Sequence, residues 1–181
     1  MILLLLADGF EEIEALCPLD ILRRLGADIK TVGITGEYVC GAHGITVKAD
    51  VMPENVSLSD VEHLILPGGM PGASNLDASS FTDSFIDAAI RNGGKLGAIC
   101  AAPFILGKRG LLRNRRATCY PGFENQLIGA DVCSDAVVTD GNITTARGMG
   151  VALPFAKRLA KEFLGLSEAE INKLSASIME V

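Results

Sequence analysis

The sequence predicts an α/β sandwich, with helices on both faces of a mainly parallel sheet, and three observations carry that reading. Short runs apolar on both faces, Met1 to Ala7 and His63 to Leu66, have the pattern of strands buried from either side. Between such runs lie stretches with helical spacing of apolar residues, so strands and helices alternate along the chain. Sharp turns follow the strands, at Asp8-Gly9-Phe10, at Pro67-Gly68-Gly69-Met70-Pro71-Gly72 and at Cys100-Ala101-Ala102-Pro103. In open sheets of this type ligands collect at the C-terminal ends of strands.

The elements follow in order. After the first strand a helix begins at the acidic pair Glu11-Glu12, suited to the positive end of its dipole, and Gly26 stops it. Pro18 lies inside this helix and deprives the Glu14 carbonyl of its usual partner, so a kink is expected there. Two apolar stripes, Ile13/Cys17/Ile21 and Ala15/Leu19/Leu22, need cover on two sides, which suggests an oligomer contact. Asp28 to Ile34 reads as a second strand, and Tyr38-Val39 with Ile45 to Val47 as a hairpin around Gly41-Ala42-His43-Gly44. Asp50 to Asp60 is polar connection. The glycine-rich turn after Leu66 is either a mere turn or a set of exposed N–H groups able to hold an anion. It has neither a Gly-Lys-Ser/Thr ending nor a dinucleotide fingerprint.

Ser80-x-x-Asp83 reads as a helix start, and Phe81, Phe85, Ile86, Ala89 and Ile90 recur at helical spacing until Asn92-Gly93-Gly94. The next apolar run ends on Cys100, with Ala98 and Ala102 two places away on either side. A nucleophile at a tight strand-to-helix turn needs such small neighbours. Two readings of Cys100 stand on these residues, a nucleophile or a buried structural thiol. Beyond it come a short strand at Ala117 to Cys119, an Asp140-Gly141 hairpin, a helix opened by Arg147-Gly148-Met149-Gly150 and running to Leu164, and a capping box at Ser167-x-x-Glu170.

Composition narrows the function. The 181 residues, 49% hydrophobic and 21% charged, suffice for one full core, so residues 1–181 are read as a single domain. A net charge of −6 argues against nucleic acid and anionic membrane as partners. The basic run Arg113 to Arg116 lacks interleaved aromatics and reads as a solvated loop. The apolar start lacks a basic leader and is too short to span a bilayer. Five cysteines, at 17, 40, 100, 119 and 133, show no Cys-x-x-Cys and no nearby histidine pair. A disulfide framework and a zinc site are therefore not expected, no metal or organic cofactor is implied, and a reducing cytoplasm fits.

With these residues in hand the chain resembles the ThiJ/PfpI superfamily, on the branch of the Parkinson-associated deglycase and its bacterial relatives. Four motifs carry the resemblance: Gly9-Phe10-Glu11-Glu12-Ile13-Glu14 with Pro18 and Asp20; Leu66-Pro67-Gly68-Gly69-x-x-Gly72-Ala73-x-Asn75-Leu76; Ala98 to Pro103; and Thr145-Ala146-Arg147-Gly148. It implies a flavodoxin-like, glutamine-amidotransferase-like sandwich with a nucleophile elbow, and a homodimer. Cys100 is implied as nucleophile, Glu14 as its carboxyl partner, and the N–H groups of Gly69 and Ala101 as an oxyanion-type pocket. Gly68, Arg24 and His43 are implied at a substrate or anion site, with His43 standing where relatives place a second arginine. A protonated Glu14 hydrogen-bonded to sulfur, with a helix starting at Ala101, would favour thiolate at neutral pH.

Two departures matter. The residue after the nucleophile is Ala101, where the protease branch has histidine, and Tyr120 stands where several relatives have a downstream histidine. A Cys-His-Glu triad is not expected, nor peptidase activity. His63 reads as structural, and Cys17 either as a small residue at a dimer contact or as a neighbour of Cys100. The implied function is a cysteine-dependent glyoxalase or deglycase acting on small aldehydes such as methylglyoxal or on their glycated adducts. The alternative is a redox-sensing or chaperone-like protein working through oxidation of Cys100.

Overall fold

The computed structural model of the protein describes residues 1–180. Six strands form the central sheet: β1 (Ile2–Leu6), β2 (Ile29–Gly33), β5 (His63–Leu66), β6 (Leu96–Ile99), β9 (Val137–Asp140) and β10 (Ile143–Ala146). Their spatial order is β2-β1-β5-β6-β10-β9, and every neighbouring pair is parallel except β10 with β9. Two small ladders stand apart, the hairpin β3 (Tyr38–Cys40) with β4 (Thr46–Lys48), and β7 (Arg116–Ala117) with β8 (Asp131–Val132).

The two-residue period of a strand sorts β1 between two cores. Leu3 and Leu5 join Leu64, Leu66 and Ala98 under α2 (Gly72–Asp77), α3 (Ser80–Arg91) and α4 (Pro103–Lys108). Ile2, Leu4 and Leu6 join Ile65 and Ile99 under α1 (Glu12–Arg24) and α5 (Ala152–Leu164), with Ile171 of α6 (Glu168–Ser177) at the margin. The three-layer sandwich thus follows from strands that are apolar on both faces. Gly97 lets α5 approach closely, since a Cβ there would come within 2.8 Å of Leu159.

Local differences from the sequence expectations have identifiable causes. The strand expected at Ala117 to Cys119 is shorter and earlier, at Arg116–Ala117: it pairs with β8, and the next N–H, of Thr118, turns instead to Thr145 Oγ1 at 3.0 Å. The start of α3 is capped without a side-chain bond, whereas the Ser167–Glu170 capping box forms in full. After Cys100 the helix begins at Pro103 rather than Ala101, as suits proline in the first helical turn.

Candidate active site

Three strand ends meet at one point. At the end of β1 the chain turns through Gly9-Phe10 into α1, and the first turn of that helix presents Glu14, of which only 1% is exposed. At the end of β5 the Gly68 N–H donates to Glu14 Oε2 at 2.9 Å, and the Gly68 carbonyl accepts from the Glu11 N–H at 3.0 Å. At the end of β6 stands Cys100, half-buried, with φ of 64°. A non-glycine residue held in this left-handed region costs about 1–3 kcal/mol and persists only where its surroundings fix it. Here they do: the Cys100 N–H donates to the Ala146 carbonyl at 2.9 Å, and its carbonyl accepts from the Tyr120 N–H at 2.8 Å.

The glycines are required by contact. A Cβ on Gly68 would stand 2.6 Å from both the Cys100 Cβ and Glu14 Oε2, and one on Gly69, whose φ is +85°, would meet the Glu11 nitrogen at 2.3 Å. Glu14, Gly68, Gly69, Cys100 and Ala101 are therefore assembled in one place. The Met149 backbone and Gly148 close the other side of the Glu14 carboxyl. The Thr145-Ala146-Arg147-Gly148 segment was visible in the sequence, but its approach to Glu14 had no local signal.

Electrostatics makes the two groups a couple. Burial pushes Glu14 up to about 7, against the hydrogen bonds from Cys100 and Gly68 that hold it down. Burial, then the neighbouring Glu14 charge, push the Cys100 thiol up to about 12, while the N–H groups of Gly69 and Ala101 pull the other way. The couple therefore carries one negative charge, shared with one proton, between about 7 and about 12. The expected thiolate beside a protonated Glu14 is one tautomer of this single-charge form. The elbow leads through a turn at Ala101-Ala102 into α4 at Pro103, and its Ala101 N–H is one of the donors to the sulfur.

Other candidates lie elsewhere. Arg24 sits at the far end of α1, bound to Asp20 at 2.6 Å, about 18 Å along the helix axis from Glu12. His43 caps the opposite end, its Nδ1 2.8 Å from Glu12 Oε2 and 3.4 Å from Glu11 Oε2. Within one chain these two residues are not brought together, and carboxylates surround the histidine that was expected to favour an anion. Glu11, Glu12 and His43 are also the group whose ligand atoms lie near enough to face one cation, within 4.8 Å of one another, but here the ring nitrogen is engaged with the two acids. Cys17 packs with Ile21, Ala156 and Leu174 rather than against Cys100. His63 is structural, stacked on Phe163 at 4.5 Å and accepting from the Lys95 N–H at 3.0 Å. Tyr120 lays its exposed ring beside Gly148.

Such an arrangement, a strained cysteine against a buried carboxyl with backbone donors around both, can add sulfur to an electrophile and move a proton nearby. Comparison with known proteins finds relatives across nearly the whole chain. Residues 1–162 match the model of the DJ-1/PfpI family. The chain is 33% identical to protein dj-1beta of Drosophila melanogaster, over 93% of this chain and 91% of that protein. It is 31% identical to a deglycase of Pyrococcus abyssi, over 88% and 97% of the two chains. With a glutathione-independent glyoxalase of Caenorhabditis elegans it shares 30% identity over 91% and 88%. The structure of oxidized Toxoplasma gondii DJ-1 superposes with a TM-score of 0.91 at 30% identity, covering 98% of this chain and 97% of that one.

Proposed function

The chain belongs to the DJ-1/PfpI family, and from that premise we propose that it is a cysteine-dependent enzyme converting reactive carbonyls, methylglyoxal or its adducts, to hydroxy acids. One observation carries the reading: a buried carboxyl held near neutrality, Glu14, faces a nucleophile fixed in a strained turn, Cys100. The similarity to proteins named deglycase and glyoxalase supports the same substrate class.

The chemistry needs only these groups. In the single-charge form, the tautomer with its proton on Glu14 leaves the thiolate free to attack the aldehyde carbon. The carbonyl oxygen takes up a proton and a hemithioacetal forms. Glu14, now ionised, removes the hydrogen from that carbon and returns it to the adjacent ketone carbon. The first carbon is thereby oxidised to a thioester and the second reduced to an alcohol. Water then releases lactate and restores the thiol. The N–H groups of Gly69 and Ala101 are suited to the oxygen that gains charge at each stage. No metal or organic cofactor takes part.

We infer the assembly and setting alongside the reaction. The chain acts as one domain over 1–181 and as a homodimer through the outer stripe of α1, where Ile13 is 49% exposed beside the half-buried Cys17. No helix is long and apolar enough to cross a membrane among the described residues, and the free thiols suit a reducing cytoplasm. A second reading has its own support: the half-buried sulfur is flanked by the same N–H donors, which would hold the oxygens of a sulfinate formed by two equivalents of peroxide.

Product analysis with methylglyoxal distinguishes the two. Lactate should appear without added metal, and Cys100→Ser should lower its formation by about three orders of magnitude or more. Oxidation of Cys100 without lactate would reject the enzyme in favour of the sensor.

A further inference from the structure

Three large apolar side chains stand on the three segments whose backbone groups bond the Glu14–Cys100 couple. Met70 follows Gly69, whose N–H faces the sulfur. Tyr120 gives its N–H to the Cys100 carbonyl at 2.8 Å, and Met149 gives its own to the Glu14 carboxyl. All three side chains are more than half exposed; among the described residues only Tyr38, Ile45 and Met179 of the large apolar side chains are as open.

The placement of these side chains is not loose. A Cβ on Gly148 would lie 3.3 Å from Tyr120 Cδ2 and 3.9 Å from Glu14 Oε1, so the tyrosine ring and the carboxyl flank the same glycine. The Met70 sulfur accepts from Ser74 Oγ at 3.7 Å, which ties it to the start of α2. The inner side of the couple is closed, since a Cβ on Gly68 would meet both the Cys100 Cβ and Glu14 Oε2 at 2.6 Å. A substrate carbon bonded to the sulfur therefore directs its substituent outward, to the side where these three residues stand. Covering apolar surface there is favourable by about 25 cal/mol per Å². A thioether favours the edge of an aromatic ring and a tyrosine ring packs on another ring, whereas a methyl group covers little of either.

We infer that Tyr120, Met149 and Met70 set the substrate preference of this site, toward α-oxoaldehydes whose ketone carbon carries an aromatic group rather than a methyl. The inference deepens the carbonyl reading above and rests on it for the reaction. An arylglyoxal takes up one water and becomes the aryl hydroxy acid: the aldehyde carbon is oxidised to a carboxylate and the ketone carbon reduced to an alcohol, with no external oxidant.

The test separates preference from turnover. Cys100 is alkylated in parallel by 2-chloroacetophenone and by chloroacetone, which carry the same two substituents on a ketone. The sulfur bonds the methylene carbon as chloride leaves, and no proton relay to carbon is needed. Rates at Cys100, followed by peptide mapping, are divided by those of N-acetylcysteine with the same reagent. The normalised ratio should favour the aryl reagent roughly tenfold. Tyr120→Ser, Met149→Ser and Met70→Ser should each lower it about threefold, and Tyr120→Phe should keep it. Leu58→Ser, an exposed apolar position before the start of β5 at the opposite end of the sheet, should not move it. A ratio near one in the native chain overturns the inference, as does a preference that survives Tyr120→Ser and Met149→Ser together. Aryl preference with neither mandelate from phenylglyoxal nor lactate from methylglyoxal would reject the catalytic reading and leave the preference standing. Lactate without aryl preference would do the reverse.

Discussion

Two carboxylates on the first turns of α1 are buried almost equally, Glu12 with 4% exposed and Glu14 with 1%, yet they are driven in opposite directions. Burial alone raises both. At Glu12 it is outweighed by donors: the His43 N–H at 2.7 Å, the His43 ring nitrogen at 2.8 Å and the Ile45 N–H at 3.4 Å hold its carboxyl below the usual range. At Glu14 burial wins over the bonds from Cys100, Gly68 and the Met149 backbone, and its proton stays until about 7. With side-chain exposure so similar, the deeper setting of Glu14 within the protein and the fuller set of donors at Glu12 together keep Glu12 ionised as an anchor and leave Glu14 protonated until about 7.

The largest expected effect of breaking that contrast falls on catalysis. Glu14→Gln keeps a hydrogen-bond donor beside the sulfur but cannot carry a proton, so turnover of methylglyoxal should fall by roughly 10²–10⁴, measured by lactate formation. Gly68→Ala should act in the same direction, because its methyl would occupy space held by the Cys100 Cβ and Glu14 Oε2.

Stability comes next, with opposite signs at the two positions. The folded state holds the Glu14 proton from its ordinary 4.5 up to about 7, so the stability associated with protonated Glu14 is full below 4.5 and lost as pH rises through that window. Glu14→Gln removes the penalty, and urea unfolding should show it more stable than the native chain by about 3 kcal/mol at pH 8, with little difference at pH 4. Glu12→Ala should instead destabilise by about 1–3 kcal/mol at pH 7, because it strands the His43 and Ile45 N–H groups. A native-like stability for Glu12→Ala would remove its role as anchor.

The smallest effect concerns His63, whose buried ring is held below its ordinary 6.5 chiefly by burial. Its neutral form is the one the fold accepts. Stability should be full above 6.5 and decline as pH falls below it, and His63→Gln should lessen that decline in urea titrations followed between pH 7 and 5.

The contrast also shows what a sequence can disclose. Both-face apolar strands such as Met1 to Ala7 and the small residues around Cys100 are local signals, so the sandwich and the elbow were legible. Pro103 carried a signal too, since proline favours the first helical turn and marks the true start of α4. The short α2 was hidden by a stretch whose glycines and prolines read as a turn. Glu12 and His43 meet across 31 residues, and nothing in either neighbourhood announces the pair, so His43 appeared free to hold an anion. Glu14 stands in a motif the sequence displays, but what separates it from Glu12 is its depth under the Gly68 and Gly148 turns and a hairpin that folds back over Glu12, neither of which is local.

The shared proton of Glu14 and Cys100 is tested most directly by the pH dependence of Cys100 alkylation, compared between the native chain and Glu14→Gln. In the native chain the rate should rise through an inflection near 7, where the couple acquires its single charge, and then stay level toward 12. Glu14→Gln should lose the inflection near 7 and react appreciably only above 9, the ordinary value of a thiol that burial raises further. An identical profile in the two proteins would mean that Glu14 does not share the proton, and would contradict the mechanism.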